Sequence, residues 1–481
     1  MQRFGAIREL DSGRRCDAAW LAREVGRRRS VLRRVGVGRG DVVVLAHGNS
    51  ADFFADLFAV WSSGACAAAV NATVTAPELA NIVDFMDPRA VLLALDSPHG
   101  AGLSAPVLSL AESRGGDDAA DCESMGSALD DPALVLFTSG TTGTPKGVVH
   151  SFRSLLARTA LNRAFIGDAT LSRTLCVLPT YFGHGLIGNC LTPLMAGGEL
   201  LLYPERGLEG ARALGALLAD EEVSFMSSVP AFWKLALKFG RPPPRATLRR
   251  VNVGSAPLSA DLWRQVASWS GAGEVVNMYG ITETANWFSG ASSKDYDPSD
   301  GLIGRPWGGF AAVLGAEGTV AGEGEGELLV QTPSMMTGYH ERPEVTASAL
   351  SGGWYRTGDL GRIDADGVLH LHGRRQNEIN RAGVKIHAEE IDLLLERHPD
   401  VVEACTFAIP DEISGEVVAV AVHLADDARG DATALRAWCG ERIKPDSVPR
   451  RWFVVDKVPK TDRGKVNRDR VREHCLDGLP S

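Results

Sequence analysis

Leu134-Val-Leu-Phe-Thr-Ser-Gly-Thr-Thr-Gly-Thr-Pro-Lys-Gly-Val148 runs from apolar residues into hydroxyls and glycines and closes on a lysine. The apolar half predicts a buried strand. In the second half, small residues let backbone N–H groups converge on an anion, the hydroxyls add donors and Lys146 adds charge, so polyphosphate is the natural ligand. A Walker A loop is excluded, because Pro145 precedes Lys146 and Gly147 follows it. A plain surface turn would not need so long a hydroxyl and glycine run after a buried strand.

Outward from this loop, short β-rich apolar runs alternate with amphipathic stretches of helical length. Upstream lie DVVVLAHGNS from Asp41, ADFFADLFAVWSSG and PRAVLLALD; downstream lie SRTLCVLP, Gly185 to Ala196, ELLLYP, Leu208 to Glu221, VSFMSSVP, AFWKLALKF, VNVGSAPLSADLWRQVASW and EVVNMYG. Such alternation predicts βαβ units and an α/β fold with doubly wound, mostly parallel sheets, whose ligands bind beyond the carboxyl ends of the strands. After about Gly301 the chain turns to glycine-rich β segments, with a type I′ hairpin expected at Asp366-Gly367. Beyond Arg374 a smaller α+β unit is expected, with helices near Ala388 to Arg397 and Asp431 to Arg442. The boundary falls at Arg375-Gln376-Asn377, dividing residues 1–375 from residues 376–481.

The 481 residues carry 50 Lys+Arg against 60 Asp+Glu, and a net charge of −10 opposes non-specific binding to nucleic acid or an anionic membrane. Only nine of the cations are lysine, leaving 41 arginines, so each retained lysine is informative. The eight cysteines show no CxxC pair and no metal-type spacing, which fits dispersed thiols in a reducing compartment. With no signal-peptide core and no long apolar run, a cytoplasmic protein is expected. Arg27, Arg28, Arg29, Arg33 and Arg34 read as a solvated basic helix face, and Trp263 and Trp269 as core.

The loop resembles the phosphate-binding signature of the adenylate-forming superfamily, which includes acyl- and aryl-CoA ligases, firefly luciferase and peptide-synthetase adenylation domains. Four further motifs follow in the family's order: Tyr279-Gly-Ile-Thr-Glu-Thr284, Tyr355-Arg-Thr-Gly-Asp-Leu360, Gly373-Arg374 and Pro459-Lys-Thr-Asp-Arg-Gly-Lys465. The resemblance implies a large nucleotide- and acid-binding body, a small mobile C-terminal lid, and ATP with Mg²⁺ as cofactors. It implies that Thr138, Ser139, Gly140, Thr141, Thr142, Gly143, Thr144 and Lys146 hold the β- and γ-phosphates, that Thr282 touches the α-phosphate and that Glu283 binds the metal. Asn277 and Tyr279 match adenine contacts, with Met278 and Gly280 between and after them and Gly254, Ser255 and Ala256 on the other side. Asp359 matches the ribose acid, a good double acceptor, flanked by Leu371 and Arg374. Lys465 matches the lysine that bridges the acid and the α-phosphate; a solvated basic tail with Lys457 and Lys460 is the bland alternative. A compact ammonium retained in an arginine-rich chain favours a role that arginine's planar fork would not fill.

Gln376 occupies the hinge position, where the family has Asp or Lys. Asn380 stands where many members carry lysine, and Ala388 where proline is common. These departures bear on transfer to the second substrate. In Pro179-Thr-Tyr-Phe-Gly-His-Gly-Leu-Ile-Gly-Asn189 there is no aspartate to pair with an α-amino group, and the segment looks like that of benzoate-type CoA ligases. Phe182 would then gate the acid pocket. His184 reads equally as a pocket residue and as a structural turn residue. Val229, Val253, Met278 and Ile281 match apolar pocket positions, which suits an aromatic, alicyclic or short aliphatic acid.

The expected function is adenylation of a small carboxylic acid followed by transfer to CoA. The alternatives are a stand-alone adenylating enzyme that loads a carrier protein in trans or passes its acyl group to an amine, and a nucleotide-binding pseudoenzyme. Intact Lys146, Glu283, Asp359 and Lys465 oppose the last.

Overall fold

The computed structural model describes residues 4–94, 97, 102–110, 128–138, 146–203, 207–315, 317–381, 384–411, 414–426, 428, 432–461 and 465–477. Ser139, Gly140, Thr141, Thr142, Gly143 and Thr144 lie outside the described residues. Among those described, the strands form sheets of 15, seven and five strands.

The parallel part of the largest sheet carries Ala6–Glu9, Glu199–Leu202, Arg173–Cys176, Phe225–Ser228, Arg250–Gly254 and Val275–Gly280, each beside the next. Trp287–Ser292 then reverses direction, and the antiparallel remainder includes Leu302–Pro306, Leu369–Arg374 and Trp354–Ile363. The parallel strands are almost wholly buried, as expected of strands covered on both faces. In the seven-stranded sheet, Cys66–Ala69, Val42–Ala46 and Ala90–Leu93 run parallel. Pro132–Thr138 and Lys146–Ser151 form an antiparallel hairpin at its other side, with Thr138 opposite Lys146. One apolar cluster joins the large sheets through the helices Ala51–Ser62, Phe152–Ile166 and Pro230–Phe239.

The five-stranded sheet, Glu378–Arg381, Val384–His387, Val401–Asp411, Gly415–Leu424 and Arg451–Val454, lies wholly in the C-terminal part and has its own apolar cluster with the helices Ala388–Leu395 and Ala432–Gly440. Gln376 sits exposed in the 3₁₀ turn Arg375–Asn377.

Two local expectations are corrected. Arg28 is buried: its guanidinium reaches Asp56 Oδ1 at 2.5 Å and Glu24 Oε2 at 3.2 Å, and also pairs with Asp52. The nearby acids compensate a cation that the helix Ala18–Arg34 turns inward. At Asp364 to Gly367 only Gly367 has a positive φ, of 75°, whereas a type I′ turn requires two such residues. Gly367 N–H donates to the Asp364 carbonyl, and the Asp364 carboxylate accepts the Val368 N–H at 2.9 Å. The turn is therefore a type I turn closed by a left-handed glycine, and its aspartate serves the backbone. Trp263 and Trp269 lie in the core.

Candidate active site

The parallel strands end together at Cys176, Ser228, Gly254 and Gly280, and most of the expected site residues lie on the segments that follow. After Cys176 the chain forms a π-helical segment, His184–Leu191, whose closing bond runs five residues back from Thr192 N–H to the Ile187 carbonyl. Such wide turns recur at functional sites. Glycines allow the close packing. A Cβ at Gly185 would lie 1.9 Å from the Pro179 carbonyl oxygen, and one at Gly188 would lie 2.0 Å from Asn286 Nδ2.

His184 is buried and held at both ring nitrogens: Nδ1 lies 2.7 Å from Ser255 Oγ and Nε2 2.6 Å from Ser227 Oγ. Burial lowers its pKa to about 3, and the positive charge of Lys465 adds to the shift. His184 is therefore neutral at pH 7, and the Lys465 ammonium from the C-terminal part is close enough for its field to be felt at the strand ends. Ser255 adopts a left-handed backbone, φ 69°, after the strand Arg250–Gly254. Phe182 stands edge-on to His184, with ring centroids 6.2 Å apart.

Phe182, Val229 and Val253 belong to one apolar cluster, while Ile281 packs against another with Tyr279 and Val148. Val253 has no exposed surface. Gly254 is buried, Ser255 and Ala256 are half-buried, and Met278 is buried on the neighbouring strand.

A second group forms around Asp359, which is only 2% exposed. Tyr279 Oη donates to Asp359 Oδ2 at 2.6 Å, and Arg374 Nε meets Asp359 Oδ1 at 2.9 Å. Burial first, and then the Asp359 charge, push the Tyr279 phenol well up, so it stays a donor. Leu371 is half-buried and donates its N–H to the Gly301 carbonyl at 2.7 Å. Asn277 donates its side-chain amide to the Leu302 carbonyl at 2.7 Å, tying the strand ends to the antiparallel region.

The third group surrounds Glu283, in the 3₁₀ turn Thr282–Thr284 after Gly280. A Cβ at Gly280 would lie 2.4 Å from the Asn286 carbonyl oxygen, so this turn tolerates only glycine there. Tyr339 Oη donates to Glu283 Oε1 at 2.8 Å and lies 3.0 Å from Tyr355 Oη. Burial and the Glu283 charge raise both phenols, keeping them neutral donors. Lys146 Nζ stands 5.8 Å from the Tyr339 ring centroid, so the lysine and the acid meet through one tyrosine.

Several residues that shape the site carried no sequence signal. His150, wholly buried, has Nε2 2.9 Å from the Thr282 carbonyl, and burial lowers its pKa to about 4. The neutral ring can thus donate to that carbonyl. Arg158 bonds to Ser334 Oγ at 2.6 and 2.9 Å, and Ser334 Oγ donates to the Thr284 carbonyl at 2.9 Å. The Thr282–Thr284 turn is therefore braced from both sides. His150 and Arg158 are polar residues on buried faces, and only three-dimensional packing gives them partners.

An AMP-binding enzyme profile matches residues 4–340, and an AMP-binding enzyme C-terminal domain profile matches residues 390–465. The sulfoacetate–CoA ligase of Cupriavidus necator is 33% identical over 485 residues, covering 97% of this chain and 94% of its own. The structure of ATP-bound MatB from Rhodopseudomonas palustris is similar with a TM-score of 0.87 and 27% identity, covering 98% of this chain and 96% of its own. The amide bond synthetase McbA from Marinactinospora thermotolerans gives 0.86 and 28%, covering 98% and 97%. The order of motifs, the fold and these likenesses agree, and the chain belongs to the AMP-binding, adenylate-forming enzyme family.

Proposed function

We propose that the protein is an AMP-forming acid–CoA ligase. A carboxylate oxygen of a small acid attacks the α-phosphorus of ATP and pyrophosphate leaves; the thiol of CoA then attacks the acyl carbonyl and AMP leaves. The observation that carries this reading is the pair of held acids at the carboxyl ends of the strands: Tyr279 and Arg374 fix Asp359 at 2.6 and 2.9 Å, and Tyr339 fixes Glu283 at 2.8 Å with Lys146 Nζ 5.8 Å from its ring. Two anions must meet in the first step, so a positioned cation is the main requirement.

In this reading Lys465 meets the acid and the α-phosphate, Thr282 holds the α-phosphate, and Thr138 and Lys146 guide the polyphosphate together with residues 139–144. Asp359 and Arg374 take the ribose. Gly254, Ser255, Ala256, Asn277, Met278, Tyr279 and Gly280 border the base, and Leu371 adjoins the ribose. Glu283 would hold Mg²⁺: its carboxylate supplies the oxygen donor that a hard cation prefers, and the Tyr339 hydroxyl fixes that carboxylate's orientation. Bound there, the ion would neutralise phosphate charge. Residues 1–375 act as the body and 376–481 as a lid turning at Gln376. Phe182, His184, Val229, Val253 and Ile281 border the acid. No helix among the described residues is long and apolar enough to cross a membrane.

The likeness to an amide bond synthetase, together with Asn380 and Ala388, supports a second reading, in which an amine or a carrier-protein thiol accepts the acyl group. Pyrophosphate exchange across a panel of carboxylic acids tests the first step. Adding CoA, carrier protein or amine and identifying the acyl product decides the second. If no acid stimulates exchange, the function is refuted.

A further inference from the structure

The apolar residues expected around the acid leave out the polar trio beneath them. Ser227, His184 and Ser255 form one hydrogen-bonded row, with distances of 2.6 and 2.7 Å at the two ring nitrogens. Ser227 has no exposed surface, and its Oγ also lies 3.3 Å from the Asn252 carbonyl oxygen. Ser255 is half-buried, so the row runs from the core to a residue that solvent reaches.

A neutral imidazole has one donor and one acceptor nitrogen. With the proton on Nε2, Ser227 receives it and donates onward to the Asn252 carbonyl, while Ser255 donates to Nδ1 and keeps lone pairs for a ligand. With the proton on Nδ1, Ser227 donates to Nε2, Ser255 receives from Nδ1, and its hydroxyl hydrogen is left for a ligand. Both states satisfy the ring. The Ser255 hydroxyl can therefore accept from a ligand donor or donate to a ligand acceptor without leaving a buried group unpaired.

The left-handed backbone at Ser255, φ 69°, is strained for a residue with a side chain, and glycine would adopt it freely. A serine kept there brings its hydroxyl onto His184. A further buried polar atom adjoins the row: Trp287, whose ring centroid lies 5.4 Å from that of His184, has an Nε1 without a hydrogen-bond partner. A pocket meant for a hydrocarbon would be more stable lined with apolar side chains, since buried polar groups cost energy unless fully bonded.

Building on the proposed adenylation of a small acid, we infer that the Ser227–His184–Ser255 row reads a hydrogen-bonding substituent on that acid, so the substrate is a polar-substituted carboxylic acid rather than a plain hydrocarbon acid. Lys465 takes the reacting carboxylate and Ser255 meets a hydroxyl, oxo or second acid oxygen borne on the same small skeleton. The row is a specificity device and takes no part in bond making.

The test is pyrophosphate exchange with matched acids: benzoate against its hydroxybenzoates, butyrate against 3-hydroxybutyrate and 3-oxobutyrate, and propionate against malonate. At least one polar member is expected to exceed its hydrocarbon partner by about 10²-fold or more in kcat/KM, because a site that hydrogen-bonds its substrate strongly rejects the analogue lacking that group. Ser227→Ala should bring that ratio down to about 10 or below, chiefly by weakening the polar acid, while exchange with the hydrocarbon acid persists. A merely structural role would lower both acids together and leave the ratio unchanged, which overturns the inference. So does a hydrocarbon acid that outperforms its polar partners. Absence of exchange with every acid refutes the adenylation reading itself and the inference with it. Neutral and anionic polar arms identify which substituent the row accepts.

Discussion

Lys234 Nζ lies 2.7 Å from Glu396 Oε2, joining the helix Pro230–Phe239, at the end of the parallel strands, to the residue that follows the helix Ala388–Leu395. Arg397 pairs with Asp300 beside it. At the other end of the same helix, Glu390 Oε1 meets His372 Nδ1 at 3.0 Å. The Ala388–Leu395 helix is thus tied at both ends to strands and helices outside its own sheet, and this arrangement accompanies the presence of Lys465 near His184. Lys234 is another of the few lysines the chain retains.

Exposed ion pairs are each worth about 0.2–1 kcal/mol, so Lys234→Glu should weaken adenylation relative to thioester formation by up to ~5-fold. Exchanging the charges in Lys234→Glu/Glu396→Lys should restore the ratio. The two half-reactions, measured separately with ATP and with pre-formed acyl-adenylate, check this. Equal loss in both would show that the pair does not favour one arrangement.

Lys465→Ala should lower pyrophosphate exchange by at least ~10²-fold, the scale for removing one transition-state donor. Its effect on thioester formation from pre-formed acyl-adenylate should be much smaller. Near-normal exchange in this variant would refute the role of Lys465.

Hydrogen bonding to Glu390 raises the pKa of His372, against opposing burial; the charges of Glu390 and Glu325 also raise it, and Arg362 lowers it. His387 stacks on its ring at 5.6 Å. A raised pKa means that the stabilising contribution is complete below the ordinary histidine value, near 6.5, and is lost as pH climbs through the raised value in the folded protein. The Ala388–Leu395 helix should therefore be held more weakly on the alkaline side. Proton NMR titration of His372 should give a pKa above the ordinary value in the intact protein and a lower one in Glu390→Gln. A titration unaffected by Glu390→Gln would remove the pair from consideration.

Gly185→Ala should destabilise the protein by about 1–3 kcal/mol, the usual cost of overpacking, because the new Cβ would meet a backbone oxygen at 1.9 Å. Thermal unfolding checks it. Gly207→Ala, where nothing lies within 4 Å of the added Cβ, should leave the melting temperature nearly unchanged.

The sequence by itself determined the alternation that became two large sheets, the strand leading into the phosphate loop, the ordered motifs and the family. These are local patterns: a strand's periodicity and a glycine's position are written over a few residues. Tertiary structure decided what those motifs lean on. His150 reaches Thr282 across 132 positions, Arg158 reaches Ser334 across 176, and Tyr279 reaches Asp359 across 80. It also turned Arg28 inward and set His184 between Ser227 and Ser255. A polar side chain's meaning depends on which donor or acceptor it meets once water is excluded, and chain spacing does not encode that meeting. The pocket positions read as apolar from their residue types therefore acquired a polar floor only when strands distant in sequence were brought side by side.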